Sequence, residues 1–223
     1  MMVTTLKILV FVSALGLVQE DNDFDLVKNT RSTVHYNISA ETPVTYKELV
    51  EQAIYSCPNA NWGDVDEDLL WSLVDVEKKY DVPFKYRGML LAAACSESGY
   101  NPYAKGDHKF SKSGKKPMAI GILQLWPWYE NGKSGYGVDR TDPIQSADAW
   151  MKHIVKQIPK VKRKCKFKTQ KNIWRAAWAY GIRYPKPEGR CYDRVKHLRI
   201  INKWHKNIKV QRKQVREYGN EGC

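Results

Sequence analysis

Residues 88–98 read GMLLAAACSES, a run of good helix formers that Gly99 and Pro102 then bring to a stop. Counting back from Glu97 by a helical period meets Ala94, Ala93 and Leu90, all apolar. The acid of this run therefore falls on the face that turns inward. A chain with this segment has to bury a carboxyl at the end of an apolar helix. A solvated surface glutamate has polar neighbours at those spacings, and this one has none.

The rest of the chain is helical in pattern. From VTYKELVEQAIYSC onward the apolar period is that of a helix, and Leu69, Leu73, Val76 and Tyr80 form one stripe with Asp66 or Asp68 placed to cap it. The next helix is expected to open near Pro83. Others are expected at IQSADAWMKHIVKQI, NIWRAAWAYGI and CYDRVKHLRIINKWHKNI. Alternating strand patterns are scarce, and a small hairpin is expected within 105–125. The fold class is mainly α, in one domain over 46–223, a length that allows one sizeable core.

The first 19 residues resemble a signal peptide: one lysine, the apolar run ILVFVSALGLV, and then acidic EDNDFD. The run is shorter than the about 20 residues a membrane span needs. Export to the periplasm or outside the cell is expected, with an uncleaved anchor as the alternative. Residues 20–45 read as a linker. Among Cys57, Cys95, Cys165, Cys191 and Cys223 the odd count leaves one over, and Cys165–Cys191 is the first pair expected, with Cys223 as the spare. No CxxC or HxxxH spacing supports a metal, and no cofactor is expected.

Net charge +13 points to an anionic partner surface, and residues 152–171 carry eight lysines and one arginine without an acid. That run is either a solvated helix face or a contact for such a surface. Eight tryptophans imply a well-filled core or a groove lined with rings. Trp71, Trp150, Trp174 and Trp204 stand in helical patterns and are expected in the core. Trp126, Trp128, Tyr129 and Tyr136 follow GILQL on a loop and suit stacking on sugar rings. His153, His197 and His205 lie in basic helices without ligand spacing and are expected solvated or partly packed.

Four stretches, SESGYNPYA, AIGILQLWP, DPIQSADAW and AAWAYG, are similar in order and spacing to the motifs of lytic transglycosylases, over roughly residues 65–205. The resemblance implies a lysozyme-like fold and cleavage of peptidoglycan glycan strands at the MurNAc–GlcNAc bond. It makes Glu97 the catalytic acid and Ser98 the neighbour that holds the glutamate or the substrate. Gln124 and the backbone of Gly121 and Ile122 line the sugar cleft, and Trp126 stands where the family often has methionine. In AAWAYG, Trp178 occupies the family's tyrosine position, Ala179 its asparagine and Tyr180 its alanine. Trp178 is expected to face the cleft in the tyrosine's place, with Tyr180 packed elsewhere.

The residues agree with that chemistry. Protonating a glycosidic oxygen near neutral pH needs a carboxyl that keeps its proton, and burial against Leu90, Ala93 and Ala94 together with the helix C-terminus is expected to raise Glu97. A hydrolase needs a second carboxylate, for which Asp107, Asp139 and Asp142 are available, Asp142 being well explained as a helix cap. A single-glutamate transglycosylase leads, acting as a monomer on glycan strands and an anionic wall surface. A goose-type lysozyme-like hydrolase and a non-catalytic glycan binder are the alternatives. Nucleic acid is not an expected partner, since no reading motif accompanies the charge.

Overall fold

A computed structural model describes residues 42–60, 65–110, 116–182, 191 and 194–219, all within the unit Ile38–Cys223. The expected signal peptide, most of the linker and Cys223 lie outside them. Seven helices are described: α1 (Tyr46–Ser56), α2 (Glu67–Lys78), α3 (Met89–Ser98), α4 (Pro143–Lys156), α5 (Ile158–Cys165), α6 (Gln170–Gly181) and α7 (Leu198–Gly219). One antiparallel pair, β1 (Lys105–Gly106) and β2 (Ala119–Ile120), forms the small hairpin expected within 105–125, with Lys105 opposite Ile120. The architecture is mainly α.

α3 is the axis of the core. Met89 to Cys95 are each without solvent exposure, and α3 packs against α1, α2 and α7. Around it α2 meets α4, and α4 meets α6. Each large side chain removed from water here contributes about 1.5–3 kcal/mol. Trp150, Trp174 and Trp204 are buried as expected, whereas Trp71 is half-buried and donates its indole N–H to Glu67.

Local signals fix the ends. Thr45 and Glu48 form a reciprocal capping box at α1, Asp66 accepts from Asp68 and Leu69 at α2, and Asp142 accepts from Ile144 and Gln145 at α4. Thr42 and Pro43, at the end of the expected linker, bind the body, because their carbonyls accept from Arg212 of α7. Two disulfides brace the helices: Cys165–Cys191, the expected pair, and Cys57–Cys95, which ties the end of α1 to α3.

Three boundaries differ from expectation. α3 begins at Met89, six residues past Pro83, because a 3-10 turn at Phe84–Tyr86 and a left-handed Gly88 (φ 86°) intervene. The N-terminus of α3 is instead capped from a distance by Glu77, whose buried carboxylate accepts from the N–H of Gly88 (2.7 Å) and Leu90 (2.9 Å) and from the Tyr46 hydroxyl (3.1 Å). Burial pushes this carboxyl up to about 7, against the pull of those donors and of nearby Arg87. The helix expected from Cys191 opens only at Leu198, so 194–197 is non-helical chain crossing the front of α3. The 152–171 run crosses the end of α4, the unforeseen short helix α5 and the turn after it, with Val161 buried and most lysines in solvent.

Candidate functional site

α3 stops at Gly99 because the chain there turns left-handed (φ 62°) under the loop after α1. A Cβ at this position would stand 1.9 Å from the carbonyl oxygen of Asn59. The Asn59 amide donates to the carbonyls of Cys95 and Ser96 in the last turn of the helix, where Cys95 also accepts from the Gly99 N–H. The end of α3 is thereby held rigid one turn around Glu97, which points into a cleft of about 350 Å³.

The opposite wall is the loop after β2. Gly121 (φ 84°) has room for no side chain, since its Cβ would meet the Arg140 carbonyl at 1.9 Å. Buried Arg140 reaches back to the carbonyls of Met118 and Leu125, both at 2.9 Å, and pairs with Glu130. Ser98 donates to the Ile122 carbonyl at 2.8 Å, which links this wall to the helix carrying Glu97. Leu123, Gln124, Leu125, Trp126, Trp128 and Tyr129 then face the cleft, with Trp150 behind and Gly181 and Ile182 from α6 opposite. Asp107 enters at the rim in a left-handed conformation (φ 56°) and accepts from the Trp126 indole N–H at 3.2 Å.

Glu97 is not alone. Its Oε1 lies 2.7 Å from Lys196 Nζ and 2.7 Å from His197 Nε2, both on the non-helical segment before α7. His197 is 1 % exposed, and its other ring nitrogen is buried without a protein partner among the described residues. Burial raises the Glu97 carboxyl, but the donors His197 and Lys196 outweigh it and hold the group below the ordinary carboxylate range. At rest Glu97 is a carboxylate, and with Glu97 ionised His197 donates from Nε2. This corrects the expectation that burial on the apolar face and the helix C-terminus would together raise it.

Several expected site residues take other places. Trp178 has no exposure and does not line the cleft; its indole lies against His197 (centroids 5.6 Å, planes 30° apart) and edge-on to Trp150. It therefore acts on Glu97 only through His197, because α6 presents Gly181 and Ile182 to the cleft instead. Tyr180 is buried away from the cleft, with Lys160 over its ring at 5.5 Å, so it packs elsewhere as expected. Ile122 is fully buried, and its carbonyl is occupied by Ser98. The carbonyl of Gly121 is taken by Gln124, whose amide nitrogen donates to it and to Ala104. Gln124 reaches the cleft as expected, yet holds the loop as well.

Lys196 and His197 are the residues that the sequence left unmarked. They stand 99 and 100 residues from Glu97, inside a stretch whose charge reads as an ordinary basic helix. The break before Leu198 carries no glycine or proline to announce it. No family model, curated protein or solved structure matches the chain. Among the described residues no group of histidine, cysteine and acid side chains could hold a metal ion.

Proposed function

We propose that the chain is a peptidoglycan lytic transglycosylase with a lysozyme-like arrangement of its helices, exported and acting on glycan strands. The observation that carries this reading is Glu97, fixed at the end of the central apolar helix and opening into a cleft walled by Trp126, Trp128 and Tyr129. Such rings match the apolar faces of sugars, and a rigid carboxyl beside them suits acid–base work on a glycosidic oxygen.

The reaction needs Glu97 in both protonation states. Lys196, with 59 % of its side chain exposed, is the mobile partner, while His197 is packed in place. When an entering strand draws Lys196 aside, burial favours the neutral carboxyl. Glu97 then gives its proton to the leaving oxygen as the C1–O bond breaks, and the sugar's own N-acetyl oxygen supports C1. The carboxylate so formed takes the proton of the 6-hydroxyl as O6 bonds to C1. The product is a 1,6-anhydro-muramyl end, no water is consumed, and His197 steadies the carboxylate throughout.

Asp107 at the cleft rim favours a second reading, a two-carboxylate hydrolase, in which it would activate water. Asp142 is fully engaged as the α4 cap, and Asp139 is tied to Thr141. Mass analysis of fragments released from purified sacculi separates the readings. Anhydro ends with Asp107→Asn still active are expected. Reducing ends abolished equally by Asp107→Asn would select the hydrolase, and no release would select a glycan-binding protein.

A further inference from the structure

A second hollow, about 630 Å³, adjoins the cleft, and Lys196 lines both. Its walls carry Arg175 from α6, Arg194 and Lys196 from the non-helical segment, and Arg199 from the first turn of α7. Among the described residues no acid lines it, and its floor is apolar, formed by Val195, Leu198 and other carbon-rich side chains. Among the described residues Arg175 makes a long bond to the Cys191 carbonyl (3.5 Å), and its Nε is buried without a hydrogen-bond partner. A guanidinium carries five N–H donors, so Arg175 at the wall of this hollow keeps capacity for an oxygen that enters it.

We propose that this hollow binds the acidic peptide stem of the substrate. The proposal rests on the transglycosylase reading and sharpens it: the enzyme selects glycan whose muramyl sugars carry carboxylate-bearing peptides. Guanidinium forks fit a carboxylate with two parallel bonds, and the apolar floor suits short aliphatic side chains next to it. A stem carboxylate here also competes with Glu97 for Lys196. Occupancy of the hollow thus frees the catalytic carboxyl to take up a proton, which links recognition of the peptide to activation of the acid.

The test uses the full chain and two substrates, glycan strands with intact stems and the same strands stripped of peptide by an amidase. A parallel titration follows backbone signals of 194–202 and the Arg175 Nε–H signal by NMR as an acidic tetrapeptide is added. Stem-bearing strands should be cut about tenfold faster in kcat/KM, a ratio worth about 1.4 kcal/mol. In the double variant Arg194→Gln, Arg199→Gln that ratio should fall to near one. The tetrapeptide should move the Arg175 signal in the wild type, and the double variant should weaken its binding. Equal rates on the two strands, an unchanged ratio in the variant, or binding of inorganic phosphate in preference to the tetrapeptide would overturn the assignment. If neither strand is cut while the tetrapeptide still marks Arg175, the hollow stands and the proposed reaction falls.

Discussion

Each end of α3 meets a carboxyl, buried Glu77 of α2 at its start and half-buried Glu97 at its end, and the two are held in opposite ways. At the N-terminus Glu77 accepts from two backbone N–H groups and a tyrosine hydroxyl, and burial still pushes it up to about 7. At the C-terminus Glu97 faces the unfavourable end of the helix dipole, yet it is held below the ordinary range. The difference lies in the neighbours: Lys196 and His197 touch Glu97 directly, whereas Glu77 touches only neutral donors. Position on a helix biases a carboxyl, but the groups that reach it from other elements decide its proton.

The largest expected effect separates the two acids by function. Glu97→Gln keeps the size of the side chain and removes the proton source, so turnover should fall about 10²- to 10⁴-fold, while the melting temperature near neutral pH loses only what the contacts of the carboxylate with Lys196 and His197 contribute. Glu77→Gln should do the reverse. It sets an amide N–H₂ against the buried N–H of Leu90, costing about 1–3 kcal/mol of stability, while turnover per folded molecule persists. Sacculus digestion alongside thermal melts checks both, and equal loss of turnover in the two variants would dissolve the contrast.

Next comes pH. Glu77 has its folded value raised, so between the ordinary carboxylate range and about 7 the folded state holds a proton that the unfolded chain has released. Stability from this group is therefore present at low pH, declines as pH rises through that window and levels off above it, a change on the order of 3 kcal/mol. Glu97 runs the other way: its depressed value adds stability above the ordinary range, lost as pH falls through the folded value. Denaturant melts of wild type and Glu77→Gln from pH 4 to 8 should differ by the first slope alone. Parallel curves would show that folding leaves the proton affinity of Glu77 unchanged.

Two smaller effects test how Glu97 is held. Lys196→Met removes the lysine that helps hold the carboxyl ionised, so the pH profile of kcat should move its acid–base limb to higher pH, with no loss of turnover near neutral pH. An unmoved limb would mean that His197 alone sets the carboxyl. Trp178→Phe thins the ring that backs His197 and should lower turnover modestly. Tyr180→Phe, far from the cleft, should be nearly silent. A larger loss in Tyr180→Phe than in Trp178→Phe would reverse the register read from α6.

What the sequence made legible was local. Apolar period, caps such as Asp66 and Asp142, the Gly99 stop and the loop after GILQL are written in residues next to one another, and they led to the helices, the hairpin and the place of Glu97. What stayed hidden was written across distance. Glu77 sits in VDVEKK, where an acid beside lysines reads as surface, and only the folded chain brings it under Gly88. His197 sits among cations and reads as solvated, yet α6 closes Trp178 over it. The proton on a carboxyl depends on such long-range partners, and periodicity carries no record of them.

The two disulfides give the site a history as well as a shape. Cys95 lies two residues before Glu97, and Cys191 lies five before Lys196, so each half of the ion cluster hangs from a cross-link. Until those thiols are joined, neither half has its anchor, and a newly made chain in a reducing compartment carries the carboxyl and the cations without their fixed meeting point. Reduction would loosen both anchors of the cluster together, so the meeting of Glu97 with Lys196 and His197 is tied to the redox state of four cysteines far apart in the chain.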